Sequence, residues 1–237
     1  MLVFILGLPG SGKSTAAHMI EEYVPKYYQG WSVLHINDYN ILKSMCYEEH
    51  DERLRQISNG AFDVVNPTAF NSALKRLKYV IQEVMEVASG SNQLIAVEFS
   101  RNNYIFALEE FFIEFLSDAN FIFIKAPFSE CKTRIERRVK KRNRTEDDNY
   151  VSEFIFEKYY KEDQQDYHES VRRMLTEKYG IPDSRVQIIE DCGLTEDDFK
   201  EIKVSEAIKL IVFEYGVLPS PEYIIPSVKA EPVPILL

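Results

Sequence analysis

Gly7-Leu8-Pro9-Gly10-Ser11-Gly12-Lys13-Ser14 stands directly after a continuous apolar run at residues 2–6 (Leu-Val-Phe-Ile-Leu). That run has strand length and no polar alternation, which predicts a strand buried on both faces of a parallel sheet. The glycines of the octet let the backbone bend so that successive N–H groups point inward at an anion. A helix starting at the end of the octet adds its positive end to the same spot. In this arrangement Lys13 brings a mobile charge to the β- and γ-phosphates of a nucleotide, and Ser14 offers a hydroxyl to Mg2+. Thr15 is placed to hydrogen-bond the α-phosphate. The candidate nucleotide-binding set is therefore Gly7, Pro9, Gly10, Ser11, Gly12, Lys13, Ser14 and Thr15.

Outward from this loop, strands and helices alternate. Residues 14–24 read as a helix, with Ala17, Ile20 and Val24 on one face and Pro25 past its end. A second strand at 33–36 ends at Asn37-Asp38-Tyr39. Residues 39–65 are mixed in character and read as short helices. Asn66-Pro67 marks a helix start, with Asn as cap and Pro in the first position, and Leu74, Leu77, Ile81, Val84 and Ala88 follow at helical spacing. The third strand, 94–97, ends at Glu98. Leu108, Phe111, Phe112 and Phe115 mark one amphipathic helix, and a fourth strand covers 121–124. A charged region from 129 to 179 holds a basic helix, a polar break and a second helix over 154–174. The fifth strand is 186–189, and Ala207, Ile208, Ile211 and Val212 lie on a last helix.

This alternation predicts an α/β three-layer sandwich around a five-stranded parallel sheet. Ligands in such sheets sit at the carboxyl ends of the strands. The glycine loop, Asp38 and Glu98 all fall there. Residues 1–217 then form one domain, followed by a Pro-rich tail at 218–237 that reads as an extended segment or a docking peptide.

The octet meets the Walker A pattern in full, and the chain resembles the P-loop NTPase superfamily, in particular the adenylate-kinase-like nucleoside and nucleotide kinases. The short loop within the first ten residues carries the likeness. The resemblance implies an ATP-binding phosphotransferase using ATP and Mg2+, with a nucleoside, nucleotide or metabolite as acceptor. It implies that Asp38 meets the acceptor hydroxyl and takes or orients its proton. Read from the residues alone, Asn37-Asp38 also suits a helix cap. Glu98 resembles a Walker B acid that binds metal together with Ser14, although Asp is the usual residue. Arg101 resembles the Arg that holds acceptor phosphate in adenylate kinases, but Glu98-Phe99-Ser100-Arg101 is one residue shorter than their motif and lacks its Gly and Pro. Residues 39–65 correspond to the acceptor-binding region.

Eight bases crowd into residues 132–144. Cys131, Ile135 and Val139 form an apolar stripe beside Arg134, Arg138 and Arg142. The resemblance places a helical lid over 129–165, with Arg134 and Arg138 stabilising transferred charge and 145–149 at its tip. Residues 190–194 resemble the loop that holds the base. Three readings stay open for the basic helix: a lid, a nucleic-acid contact of an end kinase, or a solvated face. A P-loop ATPase or switch acting on a protein partner is the further alternative.

Composition narrows the classes. A net charge of -10 disfavours nucleic acid or anionic membrane as a partner of the whole molecule. Cys46, Cys131 and Cys192 form no Cys-x-x-Cys, and four scattered histidines show no metal-ligand spacing. No apolar stretch reaches the length of a membrane span, and residues 2–6 are too short for a signal peptide. These features predict a cytoplasmic protein.

Overall fold

The computed structural model describes residues 1–57, 61–140, 150–160, 167–191 and 204–214. In chain order these form β1 (Leu2–Gly7), α1 (Lys13–Tyr27), β2 (Ser32–Asn37), α2 (Asp38–Tyr47), β3 (Leu54–Gln56), β4 (Phe62–Val64), α3 (Thr68–Val87) and β5 (Gln93–Phe99). There follow α4 (Tyr104–Glu109), α5 (Ile113–Ser117), β6 (Ala119–Lys125), α6 (Phe128–Lys140), α7 (Glu153–Tyr159), α8 (Tyr167–Arg173), β7 (Val186–Glu190) and α9 (Ser205–Glu214).

Successive side chains of a strand face opposite ways, and β1 shows what its unbroken apolar run is for. Leu2, Phe4 and Leu6 pack into one core with Leu74, Leu77 and Ile81 of α3. Val3 and Ile5 pack into another, with Ala16, Ala17 and Ile20 of α1 and Ala207 of α9. The sheet order is β2-β5-β1-β6-β7, parallel throughout, so β1 lies at its centre. The α/β sandwich with five parallel strands is thus the observed fold. A third core covers the carboxyl ends of the strands, where Leu42, Phe62, Phe70, Ile135 and Phe156 come from α2, β4, α3, α6 and α7. It forms the floor and walls of the site.

Four local expectations are corrected. Part of the region read as short helices is an antiparallel hairpin, in which Leu54 pairs with Val64 and Gln56 with Phe62. Its apolar residues bury on the third core, which overrides the mixed local pattern. Helix α1 runs through Pro25 to Tyr27. The missing proline N–H falls in the last turn, and the helix closes with Tyr28 N–H donating to the Val24 carbonyl at 2.9 Å. The single helix expected around Leu108–Phe115 is two, α4 and α5. The one expected over 154–174 is α7 and α8, with 161–166 outside the described residues. By contrast, α3 starts right after Asn66-Pro67 as expected, with Pro67 at its N-cap and the Asn66 side chain accepting from Thr68 N–H at 3.0 Å. The lid tip at 145–149, Arg142, Cys192 and the tail at 218–237 also lie outside the described residues. Among the described residues, no helix is long and apolar enough to cross a membrane.

Candidate functional site

The loop between β1 and α1 is folded so tightly that its glycines are steric requirements. Gly10 has φ +81°, and a Cβ there would stand 2.6 Å from the Cys131 carbonyl oxygen of α6. At Gly7, with φ +151°, a Cβ would meet the Ile124 carbonyl oxygen at 2.5 Å. Tyr104 fixes the loop from below. Its hydroxyl accepts the Gly7 N–H at 2.8 Å, and it lies within donating distance of the Gly7 and Phe99 carbonyls. That fully buried tyrosine was invisible in the sequence, where it is one of 14 tyrosines with no motif around it.

Lys13 is 5% exposed and donates to the Leu8 carbonyl at 2.8 Å, so its ammonium is held across the loop. Burial lowers its pKa, against the opposing pull of Glu98. Ser14 donates to Glu98 Oε1 at 2.9 Å, and His35 Nε2 meets Glu98 Oε2 at 3.1 Å. Burial would raise the Glu98 carboxyl, but the His35 hydrogen bond, the Lys13 charge and the Ser14 hydroxyl together hold it below its ordinary value. The register explains the convergence: Asn37 at the end of β2 lies beside Glu98 on β5.

One residue further on, Asp38 opens α2, and its Oδ2 accepts from Arg101 Nη1 in a buried ion pair. Asn37 supplies the helix cap, its side chain accepting from Asn40 N–H, so Asp38 is not needed for that role. The Arg101 guanidinium also donates to the Ser100 and Phe70 carbonyls and lies over the Phe70 and Phe99 rings, at 5.3 and 5.5 Å. Burial raises the Asp38 carboxyl, Arg101 opposes the rise, and Glu98 adds to it.

These groups open on one cleft, with about 880 Å³ of empty space counting its mouth. Pro9, Gly10, Gly12, Lys13 and Ser14 border one end, while Gly7, Ser11 and Thr15 are not in its lining. Asp38, Asp63, Arg101, Phe62 and Phe70 border the other end, and Arg138 of α6 reaches the lining as well. Arg134 does not. Its Nη1 donates to Asp191 Oδ2 at 2.6 Å and reaches the Gly10 carbonyl at 3.4 Å, and its Nε donates to Glu130. One turn of α6 thus separates Arg138, which lines the cleft, from Arg134, which is bonded to Asp191 and Glu130. Lys132 bonds Glu153 and Glu157 of α7, which ties the basic helix to the next. Asp63, which sequence reasoning missed, is an isolated acid in a hairpin the local pattern did not reveal. The histidines show no metal spacing in sequence, yet the fold brings one ligand atom each from His18, Glu21 and His35 within 4.8 Å of one another.

The chain matches a family model described as an AAA domain over residues 3–156. No match was found among curated protein sequences. Among solved structures, the chain is similar to the APS kinase CysC of Mycobacterium tuberculosis, solved with AMPPNP and APS. That likeness has a TM-score of 0.51 at 15% identity, covering 89% of this chain and 96% of that one. Kti12 of Chaetomium thermophilum, solved with ADP-AlF3, gives a TM-score of 0.45 at 16% identity, over 93% of this chain and 100% of that one. At such identities the likeness describes the fold.

Proposed function

This chain belongs to the AAA domain family and has a P-loop kinase-like fold, and on that premise we propose that it is a phosphotransferase moving the γ-phosphate of ATP-Mg to a small-molecule hydroxyl. One observation carries the reading: Lys13, the Ser14–Glu98 pair and Asp38 border the same cleft. Phosphoryl transfer asks the protein mainly for positioning and charge neutralisation, and each of these groups supplies one part.

The loop N–H groups, the start of α1 and Lys13 suit a polyphosphate. The Ser14 hydroxyl and the ionised Glu98 carboxylate are hard oxygen ligands, which fits magnesium. Bound there, magnesium would neutralise phosphoryl charge. His35 orients Glu98 through its second oxygen. Arg138 stands where it can offset charge on the group in transfer. Arg134 and Asp191 brace Gly10 from behind.

Asp38 is the proton acceptor in this reading. Arg101 holds Oδ2 and leaves Oδ1 to take the hydroxyl proton as the acceptor oxygen bonds the γ-phosphorus and the bond to the ADP oxygen breaks. A carboxyl raised by burial accepts a proton more readily than an exposed one. In this reading α6 and α7 belong to the lid that excludes water.

The test is transfer of label from γ-labelled ATP to a panel of hydroxyl acceptors. Asp38→Asn should keep ATP binding and lower transfer about a hundredfold or more. Unchanged transfer would remove Asp38 from the mechanism, and release of phosphate alone would point to an ATPase.

A further inference from the structure

Resting on the phosphotransferase reading, we infer that the acceptor is a phosphate-free hydroxyl compound of the nucleoside type, bound through Asp63, and not a phosphate ester. The inference comes from unmet hydrogen bonds and spent charges at the acceptor end of the cleft.

Asp63 is 7% exposed and lines the cleft. Its Oδ2 accepts from Arg55 Nη2 at 2.9 Å, but its Oδ1 is buried with no partner. A buried acceptor without a donor is costly, and a ligand O–H or N–H would relieve it. Arg101 carries the opposite vacancy: its Nε is buried with no acceptor. A hydroxyl compound offers both a proton and lone pairs, so it supplies the kind of partner that each unmet group lacks. A phosphate dianion offers lone pairs only, and it would face the Asp63 oxygen with like charge.

The cation at this end is already committed. Asp38 neutralises Arg101. Among the described residues, Arg101 and Arg138 are the arginines of the cleft lining. Arg101, the one beside Asp38, is held in its ion pair and by two backbone carbonyls, which leaves it without the free fork that two-pronged phosphate recognition uses. Lys13 and Arg138 belong to the end where the γ-phosphate would lie. The walls add a shape. Tyr39 and Phe62 stack at 4.9 Å, and with Phe70 and Val64 they give an apolar surface that suits the flat face of a base.

The full chain is to be assayed with γ-labelled ATP-Mg and three sets of acceptors: adenosine and cytidine, their 5′-monophosphates, and a short RNA with a 5′-hydroxyl end. The nucleosides should be labelled with kcat/KM about tenfold or more above the matched monophosphates. Asp63→Asn should raise nucleoside KM by about tenfold, with kcat within about threefold and ATP affinity unchanged, as loss of a binding contact requires. Preference for the monophosphates or the RNA would overturn the inference and leave the phosphotransferase reading standing. Phosphate release with no acceptor labelled would overturn both. Should Asp63→Asn fail to fold, the wild-type ranking of acceptors decides alone. A folded variant with unchanged KM removes Asp63 from recognition.

Discussion

At one end of the cleft, Lys13 and Ser14 rest on a backbone carbonyl and a single carboxylate, contacts that an arriving polyphosphate can replace. At the other end, Asp38 and Arg101 are locked together in the core, and Arg101 also fastens two backbone carbonyls. The first end is a set of donors waiting for an anion. The second is a closed charge pair in the wall of the cleft. Both use acidic and basic side chains, yet only at the loop end does the cation, Lys13, rest on a backbone carbonyl and not in an ion pair. The difference teaches that residue type alone does not assign a role. What matters is whether a charge is already spent.

The two ends should therefore fail differently. The largest effect belongs to the locked pair. Arg101→Met leaves Asp38 buried without its partner and should cost about 3–5 kcal/mol of stability by denaturant unfolding. ATP binding by the fraction that stays folded should change little. If Arg101→Met instead unfolds normally and loses ATP affinity, the division between the ends is wrong.

A smaller effect tests the loop end through pH. The folded-state pKa of Glu98 lies below its ordinary 4.5, so the folded state favours the ionised form. Its contribution to stability is present above pH 4.5 and is lost as pH falls through the lowered value. Thermal melts of wild type against Glu98→Gln should converge as pH drops across that window. A gap that stays constant with pH would mean that Glu98 is not held ionised by His35, Lys13 and Ser14.

The same contrast explains what could be read in advance. The loop is eight consecutive residues with a steric reason for Gly7 and Gly10, and β1 before it is an unbroken apolar run buried on both faces. Contiguous features of this kind are legible without a structure. The other end is lined by Asp38, Asp63, Phe70 and Arg101, residues up to 63 positions apart that meet only once strand order is known. β3 and β4 are three residues each, too short for a period-two pattern to declare itself. Pro25 signals a helix end, yet α1 runs two residues past it, to Tyr27. Arg134 and Arg138 look alike in sequence, one turn apart on α6, and only the position of Asp191 separates them.

Titration calorimetry of ATP-Mg on wild type and on Lys13→Ala tests the central claim most directly. The account predicts saturable binding by the wild type, weakened about a hundredfold, or ~2.7 kcal/mol, in the variant. Equal affinities in the two proteins would contradict it.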